Sequence, residues 1–294
     1  MAGIELILNP SAGGGNAGRL VQEIETHFRA IGYEARCHAT SVPGEAARLA
    51  EELGRAGARR IAVCGGDGTL FEVVNGCLRL EGTRPTLAVI PLGRGNDFAK
   101  SLGLPMDWRD ACDRLELGTT RRVDAGQCND FFFINGLGMG LDARVAAFAQ
   151  RHRRLPGNSV YVLGLLTALL HRPGIRLRLE DDTGPLDQEM TLVGVANGHF
   201  LGGRFQLAPD AAIDDGLLDL VVTPRLSRRQ ILHYAPRVAR GQVADIPGYQ
   251  VRRTRDLRIS LATPHPVQAD GELVYRGARE LQVSVLPEAL EFFC

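Results

Sequence analysis

The sequence predicts an α/β N-terminal domain with a doubly wound, mostly parallel sheet, followed by a β-rich, mostly antiparallel C-terminal domain. Three observations predict it. Strand-like and helix-like stretches alternate through residues 1–124. From residue 125 to 279 short strand-like runs dominate, separated by Gly, Pro and Asp. Three glycine-rich loops each follow a predicted strand and precede a predicted helix, where the binding loops of an open parallel sheet lie.

The first half reads as follows. IELILN (4–9) is a short apolar strand, and AGRLVQEIETHFRAIG (17–32) is a helix by the spacing of Leu20, Ile24 and Phe28, stopped by Gly32. YEARCHAT alternates like a half-buried strand. PGEAARLAEELGRAG is a helix with Pro43 near its start. RIAVCGG and TLAVIPLG are strands, with the helix TLFEVVNGCLR between them, and NDFAKSLGL opens another helix. In the second half FFFINGLGMG, IRLRLE, EMTLVGVANG, GLLDLVVT, LRISLAT, HPVQADGEL and ELQVSVLP are strand-like. LDARVAAFAQRHRR, SVYVLGLLTALLHR and SRRQILHYAPRVARG are helical. The change of texture near Val123 marks a domain boundary and a cleft.

Bulk properties remove several classes of function. A length of 294 residues suits two ordinary domains. A hydrophobic share of 45% against 23% charged residues leaves material for real cores. Zero formal net charge gives no cationic footprint for nucleic acid. The six cysteines (37, 64, 77, 112, 128 and 294) have no C-x-x-C pairing, which argues for buried free thiols in a reducing cytoplasm rather than zinc or disulfides. MAGIELILNP lacks a positive n-region, so it reads as a first strand rather than a signal peptide. No stretch reaches the roughly 20 apolar residues of a membrane span. Any membrane contact is therefore peripheral, at the inner surface of a cytoplasmic protein.

The loops are NPSAGGGNAG, GGDGT and PLGRGNDFA. Glycines at strand–helix junctions let the backbone approach an anion and aim N–H groups at it, and the helix start adds positive dipole. Together they predict a nucleotide-phosphate site. Neither the Walker pattern nor G-x-G-x-x-G is present, and GLGMG (136–140) has a different spacing. Asp67 and Asp97 instead stand among the glycines, where exposed carboxylates can position hydrated Mg²⁺ against phosphate oxygens. For Asp97 a helix N-cap is the competing reading.

GGDGTLFEVVNG, PLGRGNDFAKSLGLP and NPSAGGG, with APDAAIDDGLLDLVV (208–222) and VQADGE (267–272), resemble the diacylglycerol kinase catalytic-domain family, in its bacterial lipid kinase branch. Sphingosine and ceramide kinases are relatives, and NAD kinases share GGDGT. The resemblance spans nearly the whole chain. It implies an active site in the cleft between the domains, and a last strand, residues 280–294, that returns to the first domain.

By the same resemblance Asn9, Thr40, Gly65, Gly66, Asp67, Gly68 and Thr69 line an ATP site with Arg94, Gly95, Asn96 and Asp97. Arg94 departs from the small hydroxyl residue common there. Asp270 is implied as the general base that takes the acceptor's proton, with Glu272 and Asp67 sharing metal or proton work. Without the resemblance, ADGE reads as a hairpin turn. Asp215, with the carbonyls of Ala212 and Leu217, is implied to hold a structural Mg²⁺. The histidines form no ligand spacing.

The implied activity is transfer of the γ-phosphate of ATP, with Mg²⁺, to a lipid hydroxyl at a membrane surface. The alternatives are NAD kinase-like phosphorylation of a soluble acceptor, and a catalytically silent nucleotide-binding regulator. RHRRLPGNSVYVLGLLTALLHRP (151–173) and RLSRRQILHYAPRVARG pair basic residues with apolar helices. Each reads either as a lipid-contacting surface or as an ordinary core helix beside a solvated loop. The acceptor lipid and a homodimeric state are left open by the sequence.

Overall fold

The computed structural model describes residues 2–152, 159–170, 174–200 and 206–294. The chain divides into two compact units, Met1–Ala125 with Pro287–Cys294, and Gly126–Leu286.

The first unit is built on a parallel sheet. Strands β1 (Ala2–Leu8), β2 (Tyr33–Ala39), β3 (Arg60–Gly65) and β4 (Thr86–Pro91) are ordered β2-β1-β3-β4. The end of β13 (Glu272–Phe293) joins them, with Phe292 opposite Leu87. In β1 the consecutive residues Leu6, Ile7 and Leu8 are all buried, as expected of a strand covered on both faces. The helical segments are α1 (Ala12–Gly15), α2 (Val21–Ala30), α3 (Glu45–Arg55), α4 (Asp67–Leu78), α5 (Asp97–Ser101) and α6 (Trp108–Asp113). On one face Ile24 and Phe28 of α2 pack against Ile4, Leu6 and Leu8. Truncating Phe28 to alanine there costs about 3–5 kcal/mol. On the other, α3 and α4 meet at Gly76, where a Cβ would lie 2.2 Å from the Ala47 carbonyl. That close approach explains a glycine inside a helix.

One detail differs from the sequence reading, and another agrees with it. The helix expected over 17–32 is a 3-10 turn at Ala17–Arg19 followed by α2, so only its second part is regular. The α1 turn is not truly helical, because Gly13, Gly14 and Gly15 take φ of 61°, 77° and 94°. That backbone is open to glycine and strained for other residues.

The second unit contains β6 (Phe131–Phe133), β7 (Gly136–Gly140), β8 (Ile175–Asp181), β9 (Gly184–Ala196), β10 (Leu218–Pro224), β11 (Gln250–Thr254), β12 (Asp256–Ala269) and most of β13. Strand β5 (Thr120–Cys128) ends in it and pairs with β6. The order β11-β10-β9-β7-β12-β13 is antiparallel throughout. FFFINGLGMG is two strands rather than one run, with β6 on β5 and β7 between β9 and β12. LRISLAT and HPVQADGEL merge into the 14-residue β12 and the start of the 22-residue β13. Helices α7 (Leu141–Arg151), α8 (Ser159–Leu170) and α9 (Arg228–Val238) pack in this unit. Ser227 and Gln230 form a capping box that starts α9.

Candidate active site

In the first unit the three glycine loops meet at the carboxyl ends of β1, β3 and β4. The sheet reverses its winding between β1 and β3, the position where open α/β sheets take ligands. Asn9 ties the first two loops together. Its N–H donates to the Cys64 carbonyl, and its Nδ2 donates to Thr69 Oγ1 at 3.2 Å. Thr40 closes the next corner, donating its N–H to the Leu8 carbonyl.

Gly66 and Gly93 touch backbone to backbone. A Cβ on Gly93 would lie 2.4 Å from the Gly66 Cα, so both positions exclude a side chain. Gly65 leaves room for the Thr69 side chain, and Gly95 for the Asp67 carboxylate. Asn96 sits at φ 52° and ψ 44°, where asparagine is better tolerated than most residues. Its side chain pairs with Gly93 in both directions, accepting from the N–H and donating to the carbonyl. Asp67 and Gly68 open α4, whose N-terminus directs its dipole at the same place. Arg94 is exposed, and its guanidinium leans over the first loop beside Gly14.

Asp97 corrects the sequence reading. It is not an exposed carboxylate but 5% accessible, ion-paired with Lys100 at 3.2 Å. Nor does its side chain cap α5, since Asn96 holds the cap position without a side-chain bond. Asp67 is the partly exposed acid of the pair, and its Oδ1 accepts the Asp97 N–H at 2.6 Å.

In the second unit Asp270 and Gly271 form the two-residue connection between β12 and β13, with Ala269 opposite Glu272. Their φ values, 48° and 84°, are those of a tight hairpin turn. The turn reading is therefore correct as geometry, but Asp270 does more than turn the chain. It is buried, its Oδ2 accepts the Ile134 N–H, and its Oδ1 accepts those of Asn135 and Gly136, all within 2.8–2.9 Å. These bonds fix the connection between β6 and β7. Glu272 is half-buried and receives Gln150 Nε2 of α7 at 2.8 Å.

The turn also borders a cavity of about 170 Å³ inside the second unit. Leu141, Val145, Leu165, Ile231, Tyr234 and Val238 give it an apolar wall of α7, α8 and α9. Its polar groups include Gln268 and Gly271, which flank Asp270, and Asp142, which the sequence reading missed. Asp142 faces the cavity yet is enclosed by protein, and burial pushes its carboxyl up to about 7, against the lowering effect of a hydrogen bond from Gln268. Its Oδ1 is buried without a hydrogen-bond partner among the described residues. Gly138 explains GLGMG, because a Cβ there would overlap the Asp142 carboxylate. The available signal was the one acid of its helix, at the first turn directly after the glycines of GLGMG.

The implied metal residues lie on the turn before β10. Asp215 accepts the Leu217 N–H at Oδ1, and its Oδ2 is 4.0 Å from Arg253, which also reaches Asp219 at 3.5 Å. Burial raises the Asp219 carboxyl, the Arg253 charge opposes this, and Asp215 and Asp210 raise it further. Two carboxylates, Asp215 and Asp219, thus share one guanidinium, with the charge of Asp210 acting on Asp219 as well. Among the described residues no three acidic, His or Cys side chains converge as direct ligands. A cation here would rest mainly on carbonyls, including those of Ala212 and Leu217, and on water, a donor set suited to Mg²⁺.

Cysteines 64, 77, 112 and 128 are buried and free, while Cys37 and Cys294 are only partly buried. Burial pushes the thiols of Cys77, Cys112 and Cys128 up to about 12, which makes them inert. No helix among the described residues is long and apolar enough to cross a membrane.

A parallel sheet with glycine loops at its strand ends, joined in one chain to a β-rich unit with an apolar cavity, has clear relatives. Residues 4–128 match the diacylglycerol kinase catalytic domain, and residues 136–294 match the YegS C-terminal NAD kinase beta sandwich-like domain. The chain is 30% identical over 269 residues to the diacylglycerol kinase of Bacillus subtilis (strain 168), covering 91% of this chain and 88% of that one. It is 40% identical over 207 residues to a Chromohalobacter salexigens protein named "Probable lipid kinase YegS-like", covering 69% and 66%. A crystal structure of a diacylglycerol kinase from Bacillus anthracis superposes with a TM-score of 0.82 at 26% identity, covering 99% of this chain and 96% of the other. The chain belongs to the diacylglycerol kinase family, bacterial lipid kinase branch, and is a lipid kinase.

Proposed function

We propose that this lipid kinase transfers the γ-phosphate of ATP to the hydroxyl of an acyl-chain lipid of the diacylglycerol type. The observation that carries the reading is the cavity of the second unit. It is apolar along its helices, and its polar lining includes Asp142, Gln268 and Gly271, the last two beside Asp270. That is the arrangement a lipid with one reacting hydroxyl requires.

In this reading the N–H groups of the three glycine loops and the α4 N-terminus hold the ATP phosphates. Asn9, Thr40, Gly65, Gly66, Gly68, Thr69, Gly95 and Asn96 build the cradle, and Arg94 leans on its rim. Asp67 is the carboxylate suited to Mg²⁺, which when bound with ATP supplies charge neutralisation at the transferring group. Asp97, buried and paired with Lys100, is less suited to that role and stands behind Asp67 in this reading. Asp270 orients the acceptor hydroxyl and takes its proton. Its three N–H donors hold the carboxylate in one place, and a loose transition state asks for orientation of the hydroxyl more than for early proton removal. Glu272, held by Gln150, is the second acid at the turn. The Asp215 turn is proposed as a structural Mg²⁺ site, supported by the two carboxylates, Asp215 and Asp219, set against the one guanidinium of Arg253.

Incubation with γ-labelled ATP, Mg²⁺ and a total lipid extract tests the reading. The expected product is a labelled lipid, with no phosphorylation of NAD. Labelled NADP would overturn it in favour of the NAD kinase-like alternative. ATP binding without any labelled product would leave a regulator.

A further inference from the structure

Helix α8 carries no charged residue and shows two different faces. Val160, Gly164, Ala168 and Leu169 are buried, and Gly164 packs so closely on α7 that a Cβ would lie 3.3 Å from Val145 and Phe148. On the other face Val162, Leu163, Leu166 and Leu170 are 42–75% exposed. Their spacing of three and four residues makes them one stripe. The stripe continues onto α9, because Arg228 Nη2 donates to the Leu170 carbonyl and Leu232, 48% exposed, stands one turn beyond Arg228. Single exposed leucines are ordinary, but a contiguous apolar stripe is not.

The charge around the stripe has one sign. Arg228, Arg229 and His233 are exposed on α9, and Arg151 is exposed at the end of α7. Helices α8 and α9 contain no Asp or Glu, and the one acid of α7, Asp142, is enclosed in the cavity. Arg225, beside them, is neutralised by Glu189. In a chain of zero net charge this local cationic excess marks a surface for an anionic partner. Residues 153–158 and 171–173, which carry further basic residues of the same sequence stretch, lie outside the described residues.

We infer that the outer face of α8 and the start of α9 form a docking surface for an anionic lipid bilayer. The exposed leucines enter the headgroup–acyl boundary, and Arg228 and Arg229 meet anionic headgroups. A bilayer fits better than a protein partner because the same helices wall the cavity. Leu165 and Ile231 line it, next in sequence to the exposed Leu166 and Leu232. The docking face and the acyl-chain wall are two sides of the same helices. In that respect the inference rests on the proposed lipid acceptor.

Co-sedimentation with vesicles tests it. The protein is expected to bind equimolar phosphatidylcholine–phosphatidylglycerol vesicles, to release in high salt, and to ignore pure phosphatidylcholine. Leu166→Glu combined with Leu170→Glu lowers vesicle affinity by about tenfold or more, and Arg229→Ala by about fivefold. All these variants are expected to phosphorylate monomeric dihexanoylglycerol at the parent rate, since neither the stripe nor Arg229 lines the cavity. Parent protein that ignores both vesicle types, or variants that sediment like the parent, overturn the docking surface. A loss of dihexanoylglycerol turnover in the leucine variants equal to their loss on vesicles overturns it as well, because the stripe would then serve the cavity. If the parent sediments as expected but phosphorylates no lipid, the kinase reading fails and the docking surface stands.

Discussion

The carboxylate of Asp67 accepts the backbone N–H of Asp97 at 2.6 Å, so the first residue of α4 holds the first residue of α5. The second and third glycine loops are thereby locked together by an acid whose charge the proposed chemistry also uses.

Asp67→Ala removes both functions and Asp67→Asn removes one, since asparagine keeps an acceptor oxygen. The alanine variant is expected to lose on the order of 1–2 kcal/mol in urea unfolding, the value of a charge-assisted bond discounted for partial exposure. It is also expected to bind ATP more weakly by calorimetry. The asparagine variant should stay within about 1 kcal/mol of the parent and still lose most of its turnover. An alanine variant as stable as the parent would mean that the loops do not depend on this bond.

Asp270 presents the same double use in the second unit. Its three N–H donors make it an anchor for the chain between β6 and β7. Asparagine supplies one acceptor oxygen and an NH₂ that would face a donor. Asp270→Asn is therefore expected to lower stability by about 2–3 kcal/mol and to abolish phosphorylation. ATP affinity should hold, because the glycine loops belong to the first unit. Glu272→Gln keeps the bond geometry to Gln150 and should reduce turnover without the stability loss. Near-normal turnover in Asp270→Asn would remove it as the base.

How much of this was legible beforehand follows from the range of the interactions. The parallel sheet, the loops at its strand ends and the DG hairpin turn depend on local periodicity and on glycine, and they can be read from short windows. Asp142 could not be, because its significance comes from Gln268 and Gly138, which tertiary structure brings to it. Asp97 was misread for the same reason. As a residue at a helix start it looks exposed, and only the fold buries it beside Lys100. The single run FFFINGLGMG split because Asp270, more than 130 residues later, takes the N–H groups between its halves.

The Asp215 turn makes a prediction about metal. If a cation relieves the two carboxylates that share Arg253, thermal unfolding of the parent should rise in Mg²⁺ relative to chelator. Asp215→Ala should erase most of that difference while keeping ATP affinity. An equal loss of stability in Mg²⁺ and in chelator would assign Asp215 to the turn alone, held by the Leu217 N–H and by Arg253.

Asp142 makes stability depend on pH. Burial raises its carboxyl from an ordinary 3.8 to about 7 in the folded protein. Between those values the folded state holds a proton that the unfolded chain releases. Stability contributed by this group is therefore greatest below about 4, declines as pH rises toward 7, and is lost above it. The cost of the ionised form is on the order of a few kcal/mol. Asp142→Asn stays neutral at every pH, so it should flatten this part of the profile and be more stable than the parent at pH 8. Urea midpoints of both proteins across this range check the prediction, and parallel curves would show that Asp142 does not titrate there. The same titration reaches the cavity: a neutral carboxyl can donate to an acceptor lipid, and an ionised one can only accept. The KM for dihexanoylglycerol should accordingly change across pH 7 in the parent and remain level in Asp142→Asn, which would tie the stability profile to substrate binding at one carboxyl.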